Sequence, residues 1–225
     1  MFTVCHILTS VDGKISGDFF NSQASVPAFV KYGELRDFYG CTATLYGTTT
    51  MKEFIGERGS WHTGKPAKRN DNVIIDSSYV VAIDTKGKLN YRSGLFERHG
   101  NKSRIIAVLT EQVSDETLDY LREREVAYIF AGENELDPAV VIEKLESEFG
   151  INRLMIAGGG YIDWVFLSND LIDELSIVIA PSADGRSDTP SLFEKNSNAD
   201  GVYREFRLIS AETNDDTVWL RYGRR

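Results

Sequence analysis

A chain of 225 residues with 42% hydrophobic residues is long enough to bury a sizeable core, as one large domain or two small ones. Its net charge of −9 argues against non-specific binding to nucleic acid or to an acidic membrane, because the overall field repels phosphates; any bound phosphate must be held by local geometry. No apolar run approaches the roughly 20 residues that span a bilayer, and the start carries no basic segment followed by an apolar one, so a cytoplasmic protein is expected.

Phe2 to Leu8 reads as a first strand, after which Thr9 to Gly17 breaks into a polar loop spaced by two glycines. Ser10, Asp12 and Lys14 place a hydroxyl, a carboxylate and an ammonium within five residues, a set suited to gripping a polar substrate and steering a proton. The same residues also fit a plain Asp-Gly turn. Cys5 lies in this strand and Cys41 in the next apolar run; they form no Cys-x-x-Cys pair, so core positions are expected and no metal site. From Ser25 the pattern turns helical: Ser25 can cap, Pro27 suits the first turn, and Phe29, Val30, Leu35 and Phe38 recur at helical spacing up to Gly40. Glu34 on this helix is a candidate substrate contact, or a solvated acid on an amphipathic face.

Cys41 to Gly47 is a strand ending in glycine, followed by Thr48, Thr49 and Thr50 and a helix over Met51 to Ile55. This order suits a phosphate, with the threonines capping the helix or bonding phosphate oxygens. Glu57 to Asn72 is polar and glycine-rich, with Trp61 and a solvated His62. It holds Gly64-Lys65-Pro66, which is no P-loop because the glycine spacing fails and proline follows the lysine. Asn72 to Asp76 reads as a short buried strand whose end, Asp76-Ser77-Ser78, offers polar groups to a nucleotide or simply turns. Asp84 to Ser103 is a charged excursion containing His99. A strand over Arg104 to Leu109, a helix over Ser114 to Arg124, a strand over Val126 to Phe130 and a helix over Pro138 to Phe149 follow, the last opened by Asp137.

The run Arg153 to Ile162 ends a buried strand in Gly158, Gly159 and Gly160 and starts a new helix at Tyr161 and Ile162. Glycines there let backbone approach a ligand, and the helix points unpaired N–H groups and its positive end at an anion. Two such junctions, the glycine triplet and Gly47 to Thr50, suggest a diphosphate clamp at the carboxyl ends of parallel strands. Trp164, Val165, Leu167 and Leu171 continue an apolar helix face, and Glu174 to Ala180 is a strand stopped by Pro181. After a long polar loop from Asp184 to Gly201, two strands, Tyr203 to Ile209 and Thr217 to Tyr222, form a hairpin around Asn214-Asp215-Asp216. The expected class is α/β, a mostly parallel central sheet flanked by helices with a C-terminal antiparallel hairpin. No composition shift divides residues 1–225, which are read as a single domain.

These motifs resemble the reductase domain of bifunctional riboflavin-biosynthesis enzymes, which has the dihydrofolate-reductase fold. Ser10-Val11-Asp12-Gly13-Lys14-Ile15 looks like the family's Ser-Leu-Asp-Gly-Lys/Arg-Ile loop, and Gly47 to Thr50 resembles its Gly-x-x-Thr turn. Asp76-Ser77-Ser78 is similar to the strand end that meets the adenosine side of NADPH. Gly158 to Ile162 with Leu171-Ile172-Asp173-Glu174-Leu175 and Ala180-Pro181 is similar to the family's glycine turn and Leu-Val-Asp-Glu-Leu…Ala-Pro segment. The resemblance implies NADPH with its diphosphate at Gly47 to Thr50 and Gly158 to Gly160, and its nicotinamide near Ser10 to Lys14. It implies reduction of a ribosylamino-pyrimidinone phosphate to the ribitylamino form by a homodimer. Lys14 would contact the ring-opened sugar or an adjoining anion, and Asp12 would fix the loop or assist proton transfer. Ser77 and Ser78 would suit a 2′-phosphate.

Two departures bear on substrate. The family often has an acid where this chain has Ala157, and the zinc deaminase motifs of the bifunctional proteins are missing. A reductase of another pterin-, folate- or pyrimidine-like heterocycle, and an NADPH-binding protein without turnover, therefore stand beside the riboflavin-pathway expectation.

Overall fold

The computed structural model describes residues 1–59, 64, 69–98, 100–195 and 203–225; Trp61, His62, Lys65, Pro66 and His99 lie outside the described residues. In chain order the elements are β1 (Phe2–Thr9), α1 (Val26–Tyr39), β2 (Ala43–Tyr46), α2 (Thr48–Ile55), β3 (Tyr79–Ile83), β4 (Leu95–Arg98) and β5 (Asn101–Leu109). They continue as α3 (Asp115–Arg122), β6 (Ala127–Phe130), α4 (Pro138–Phe149), β7 (Arg153–Ile156), α5 (Gly160–Ser168), β8 (Glu174–Ile179), β9 (Phe206–Asn214) and β10 (Thr217–Arg224). Tertiary contacts divide them into two compact units, Met1 with Thr42–Asn152, and Phe2–Cys41 with Arg153–Arg225.

In the first unit β2, β3, β5 and β6 run parallel, and β4 pairs antiparallel with the start of β5. Val81, Ile106 and Val108 are fully buried, as expected of parallel strands covered on both faces. Two of this unit's helices start where a side chain satisfies free amides: Ser114 accepts from the Thr117 amide at α3, and Asp137 accepts from Ala139 and Val140 at α4. Gly150, in the left-handed region at φ 68°, ends α4.

One strand is misplaced by the sequence reading. Val73 and Ile75 are exposed, the backbone there makes only a bridge at Asn72, and the strand is Tyr79–Ile83. A three-residue apolar run carries no information about whether a partner strand lies beside it, and here the partners are taken by the run that follows. The excursion from Asp84 to Ser103 also contains β4 and the first turn of pairing in β5.

In the second unit β7, β1 and β8 are parallel neighbours, and β10 and β9 extend the sheet antiparallel as the expected hairpin, closed by Asp215-Asp216. Helix α1 buries Ala28, Leu35 and Tyr39, whereas Phe29, Val30 and Phe38 are exposed, so its inward stripe is rotated from the one the large apolar residues suggested. Ser25 does not cap α1 through its side chain; a preceding turn is capped by Ser22, which accepts from the Ser25 amide.

Adjacent strand residues face opposite sides, and in β1 this separates Cys5 from His6. His6 is fully buried, stacks on Tyr32 of α1 at 4.3 Å, and has Nε2 2.9 Å from the Tyr32 carbonyl. Nε2 must therefore carry the proton. Nδ1 then accepts from the Ser176 hydroxyl at 2.9 Å, which itself accepts from the Trp219 indole N–H at 2.9 Å. Every group is satisfied with a neutral ring, and burial pushes the His6 pKa down to about 4. Because the folded value lies below the unfolded one, this contribution is fully present above about pH 6.5 and is lost as pH falls toward 4, by up to roughly 3 kcal/mol. Buried Asp84 and Asp163 are pushed up and run the other way, so the wild-type profile mixes signs. Urea unfolding of wild type and His6→Gln across pH 4 to 7 isolates the effect: the difference between them should shrink as pH falls, and a constant difference rejects a buried neutral His6.

Candidate functional site

The carboxyl ends of β7, β1 and β8 lie side by side in the second unit, and the loops leaving them are laced together. After β1, the Ser10 amide donates to the Lys14 carbonyl at 2.9 Å, while the buried Ser10 hydroxyl accepts from the Lys14 amide at 2.9 Å and donates to Asp12 at 2.5 Å. Gly13 makes the reversal at φ 78°, a conformation that side-chain-bearing residues rarely adopt. The loop after β8 joins it through Val11 N–H to the Ser182 carbonyl (2.7 Å), Ile15 N–H to the Pro190 carbonyl (3.0 Å) and Leu192 N–H to the Gly13 carbonyl (3.1 Å).

Asp12 is the knot of this lacing. Besides the Ser10 hydroxyl it accepts from the Gly185 amide at 2.8 Å and the Asp184 amide at 3.1 Å, and these donors hold its pKa down at about 2. A carboxylate so committed stays ionised and fixes the loop; of the two roles expected of it, proton transfer at neutral pH is the one this environment disfavours. Lys14 is half-buried, with Nζ donating to the Thr189 carbonyl at 3.1 Å, which leaves further donors on the ammonium. Glu34 lies on the exposed part of α1, beyond the level at which Tyr32 meets His6 and toward Tyr39, whose carbonyl takes Arg153 at the start of β7. It is carried away from the carboxyl edge that gathers Ser10, Asp12 and Lys14.

The glycine turn leaves β7 after the nearly buried Ala157. Gly158 has φ 113°, the Gly158–Gly159 peptide is cis, and Gly159 is the N-cap of α5 with no side chain to occupy the first amides. A Cβ on Gly160 would stand 2.2 Å from the Ser191 carbonyl oxygen, and the Gly160 carbonyl accepts from the Glu194 amide at 3.0 Å. The turn and the loop after β8 are thus in direct contact. Tyr161 is exposed at this end and Ile162 is buried. Asp163, in the first turn of α5, is fully buried with both carboxyl oxygens unpaired. A helix start favours a carboxylate by about 0.3–1 kcal/mol, up to about 2, whereas an uncompensated buried charge costs roughly 3–5 kcal/mol. Burial wins, and it pushes the Asp163 pKa well above the usual range.

In the first unit Gly47 is the N-cap of α2, again without a side-chain cap, and Thr48 to Thr50 form the first turn of the helix rather than preceding it. Thr48 does not cap: its hydroxyl donates to the Ile83 carbonyl at 2.6 Å, tying the turn to the carboxyl end of β3. Thr49 is exposed and Thr50 half-buried. Asp76, Ser77 and Ser78 precede β3 instead of ending a strand. The Tyr79 amide bonds the Thr42 carbonyl at the amino end of β2, and Ser78 bonds Ser103 at 3.1 Å. They therefore occupy the edge opposite Gly47–Thr50, and the strand-end argument for them as cofactor contacts fails.

The true end of β3 is Asp84-Thr85-Lys86, which the sequence reading passed over as part of a charged excursion. Asp84 is buried and accepts from Lys88 N–H (2.8 Å), Leu89 N–H (3.0 Å) and the Tyr91 hydroxyl (3.1 Å), while Lys86 is exposed. Burial pushes the Asp84 pKa up to about 6 despite these donors. The available signal was the apolar run Tyr79 to Ile83 immediately before an Asp-Thr-Lys-Gly turn.

Among the described residues no cluster of His, Cys, Asp and Glu is arranged to hold a metal ion, and no helix is long and apolar enough to cross a membrane.

Comparison with known proteins agrees with this architecture. The family model described as the RibD C-terminal domain matches residues 2–220. The 2,5-diamino-6-ribosylamino-4(3H)-pyrimidinone 5′-phosphate reductase of Methanothermobacter thermautotrophicus is 31% identical over 86 residues, covering 38% of this chain and 39% of that protein. A pyrimidine reductase-like protein of Corynebacterium diphtheriae superposes with TM-score 0.71 at 17% identity, over 100% of this chain and 92% of that one. The riboflavin biosynthesis reductase Rib7 of Saccharomyces cerevisiae does so with TM-score 0.59 at 16% identity, over 100% and 90%. At these identities the two structures speak for the fold, a mixed α/β, dihydrofolate-reductase-like one.

Proposed function

The chain belongs to the RibD C-terminal domain family, and from that premise we propose that it is an NADPH-dependent reductase of 2,5-diamino-6-ribosylamino-4(3H)-pyrimidinone 5′-phosphate, yielding the ribitylamino product as a cytoplasmic homodimer. The observation that carries the reading is the lacing of the Ser10–Lys14 loop to the Gly158–Gly160 turn through the loop after β8. It presents a bare helix start and an ammonium on one edge of one sheet. The glycine turn fits a phosphate-bearing cofactor, because the N-cap has no side chain to fill the space before the helix amides.

We take Gly158 to Ile162 as a phosphate-contacting turn; within the first unit, the similarly uncapped Gly47 to Thr50 and the exposed Lys86 at the true end of β3 offer groups of the same kind. NADPH supplies the hydride; the chain's own residues orient and desolvate the reacting pair. Asp12 keeps the loop closed as a permanent anion, and Lys14, anchored on Thr189, directs its remaining donors to the substrate's sugar or phosphate oxygens.

A second reading, reduction of another heterocycle, is favoured by Ala157: the strand end just before the turn is apolar and nearly buried where the family often has an acid. Both readings are tested by following NADPH oxidation with the ribosylamino-pyrimidinone phosphate and, in parallel, with dihydrofolate. Turnover of the first supports the main reading, and turnover of dihydrofolate alone supports the second. Binding of NADPH with no oxidation by either would leave a cofactor-binding protein without these activities. Lys14→Ala should lower turnover about 10–100-fold, the roughly 1.5–3 kcal/mol of a hydrogen bond from a charged group, and full activity in that variant removes Lys14 from the mechanism.

A further inference from the structure

The buried acid beneath the glycine turn has no part in the chemistry described so far. Asp163 is the one carboxylic side chain in α5's first turn, it is fully buried, and neither oxygen finds a hydrogen-bond partner. From the end of β7 the Gly158 amide faces it without meeting hydrogen-bond geometry, and its pull toward the anion is weaker than the opposing effect of burial. From β1 the facing titratable group is Cys5, itself buried, whose thiol is pushed up by burial and then by Asp163. From the loop after β8, Glu194 reaches the turn, but it is exposed and its carboxylate accepts from the Ser191 amide at 2.9 Å.

We propose that Asp163 is a positioning residue that stands behind the Gly158–Gly160 turn as a neutral carboxylic acid, so that the cofactor's phosphates meet the positive end of α5 with no buried negative charge behind it. This rests on the reading of the turn as the NADPH diphosphate contact. An ionised Asp163 would do two things at once: neutralise the helix end that attracts the phosphates, and repel them directly through a low-dielectric interior. Cofactor binding and protonation are therefore linked. NADPH raises the affinity of Asp163 for its proton, and by reciprocity NADPH binds more weakly as pH rises and Asp163 ionises.

Asp163→Asn keeps the shape, stays neutral at every pH and separates this role from packing alone. Fluorescence titration with NADPH from pH 6 to 10 should give similar affinities for wild type and D163N at the acid end. At the alkaline end the wild type should weaken by up to about tenfold per pH unit, the limit for one linked proton, while D163N does not share that limb. Superimposable profiles, or D163N binding tenfold more tightly than wild type at neutral pH, would overturn the proposal. An unaltered chain that binds no NADPH at any pH would instead sink the cofactor reading and the linkage with it. If D163N does not fold, infrared spectra of the unaltered protein at pH 8, where Asp84 with its value of about 6 is ionised, decide the matter. A protonated-carboxyl band supports a neutral Asp163, and absence of that band excludes it.

Discussion

Gly159→Asp is expected to give a folded chain that binds NADPH about 100- to 1,000-fold more weakly than wild type. The backbone dihedrals at Gly159, φ −71° and ψ 165°, lie in a region any residue adopts, and aspartate is only a few tenths of a kcal/mol better than glycine as an N-cap, so stability should stay about level. The same carboxylate would occupy the first amides of α5 and set a negative charge against the diphosphate. Two unit charges 4 Å apart at an effective dielectric of 20 repel by about 4 kcal/mol, which sets the upper end of the expected loss. Gly159→Asn supplies the cap without the charge and should lose less. One residue on, Gly160→Ala fails for a different reason: its Cβ would meet the Ser191 carbonyl oxygen at 2.2 Å, forcing the loop after β8 aside at roughly 1–3 kcal/mol of stability. Fluorescence titration beside urea unfolding separates the two. Equal NADPH affinity in wild type and Gly159→Asp would remove the glycine turn from the cofactor site.

What the sequence disclosed depended on whether the signal was local. Helix α4 runs from Pro138 to Phe149 as read, because Asp137, Pro138 and Gly150 punctuate it within the segment itself. Strand β1 was legible for the same reason, being mostly apolar and ended by a glycine-spaced loop. The strand after α2 was not: Val73 to Ile75 and Tyr79 to Ile83 are equally apolar, and only pairing with β2 and β5 distinguishes them. That error put Asp76 to Ser78 at the wrong end of the sheet and hid Asp84 to Lys86. The Ser10–Lys14 loop was recognisable by its residue types, but the role of Asp12 was not. Its anion is held by amides at Asp184 and Gly185, 172 and 173 residues away, and no local pattern encodes that closure. Asp163 was passed over because a single acid in an apolar helix start reads as a solvated cap until its burial is known.

The segment Asp173-Glu174, part of the family resemblance, sits at the amino ends of the second unit's strands, and its loss should cost stability without touching cofactor affinity. Asp173 accepts from the Thr3 amide at 2.9 Å and fixes the start of β1. Glu174 is buried at the start of β8, where it accepts from the Tyr39 hydroxyl at 2.5 Å and from Arg221 in bidentate fashion at 2.7 and 3.0 Å. The guanidinium lies 5.4 Å from the Phe38 ring centre and 5.5 Å from that of Trp219, so the ion pair joins α1, β8 and β10. Glu174→Ala leaves Arg221 without its counter-charge in a largely apolar setting and Tyr39 without an acceptor, and it is expected to destabilise the chain by about 3–5 kcal/mol. Glu174→Gln keeps the shape and one acceptor, and should cost less, about 1–3 kcal/mol. Strand β8 is six residues long, which places Glu174 roughly 17 Å from the carboxyl edge that carries the Ser10 loop and the glycine turn. NADPH affinity measured below the unfolding transition should accordingly match wild type in both variants. A Glu174→Ala chain within about 1 kcal/mol of wild type in urea would show that the pair is a replaceable ornament of the fold, and a selective loss of cofactor affinity would show that the two edges of this sheet are coupled.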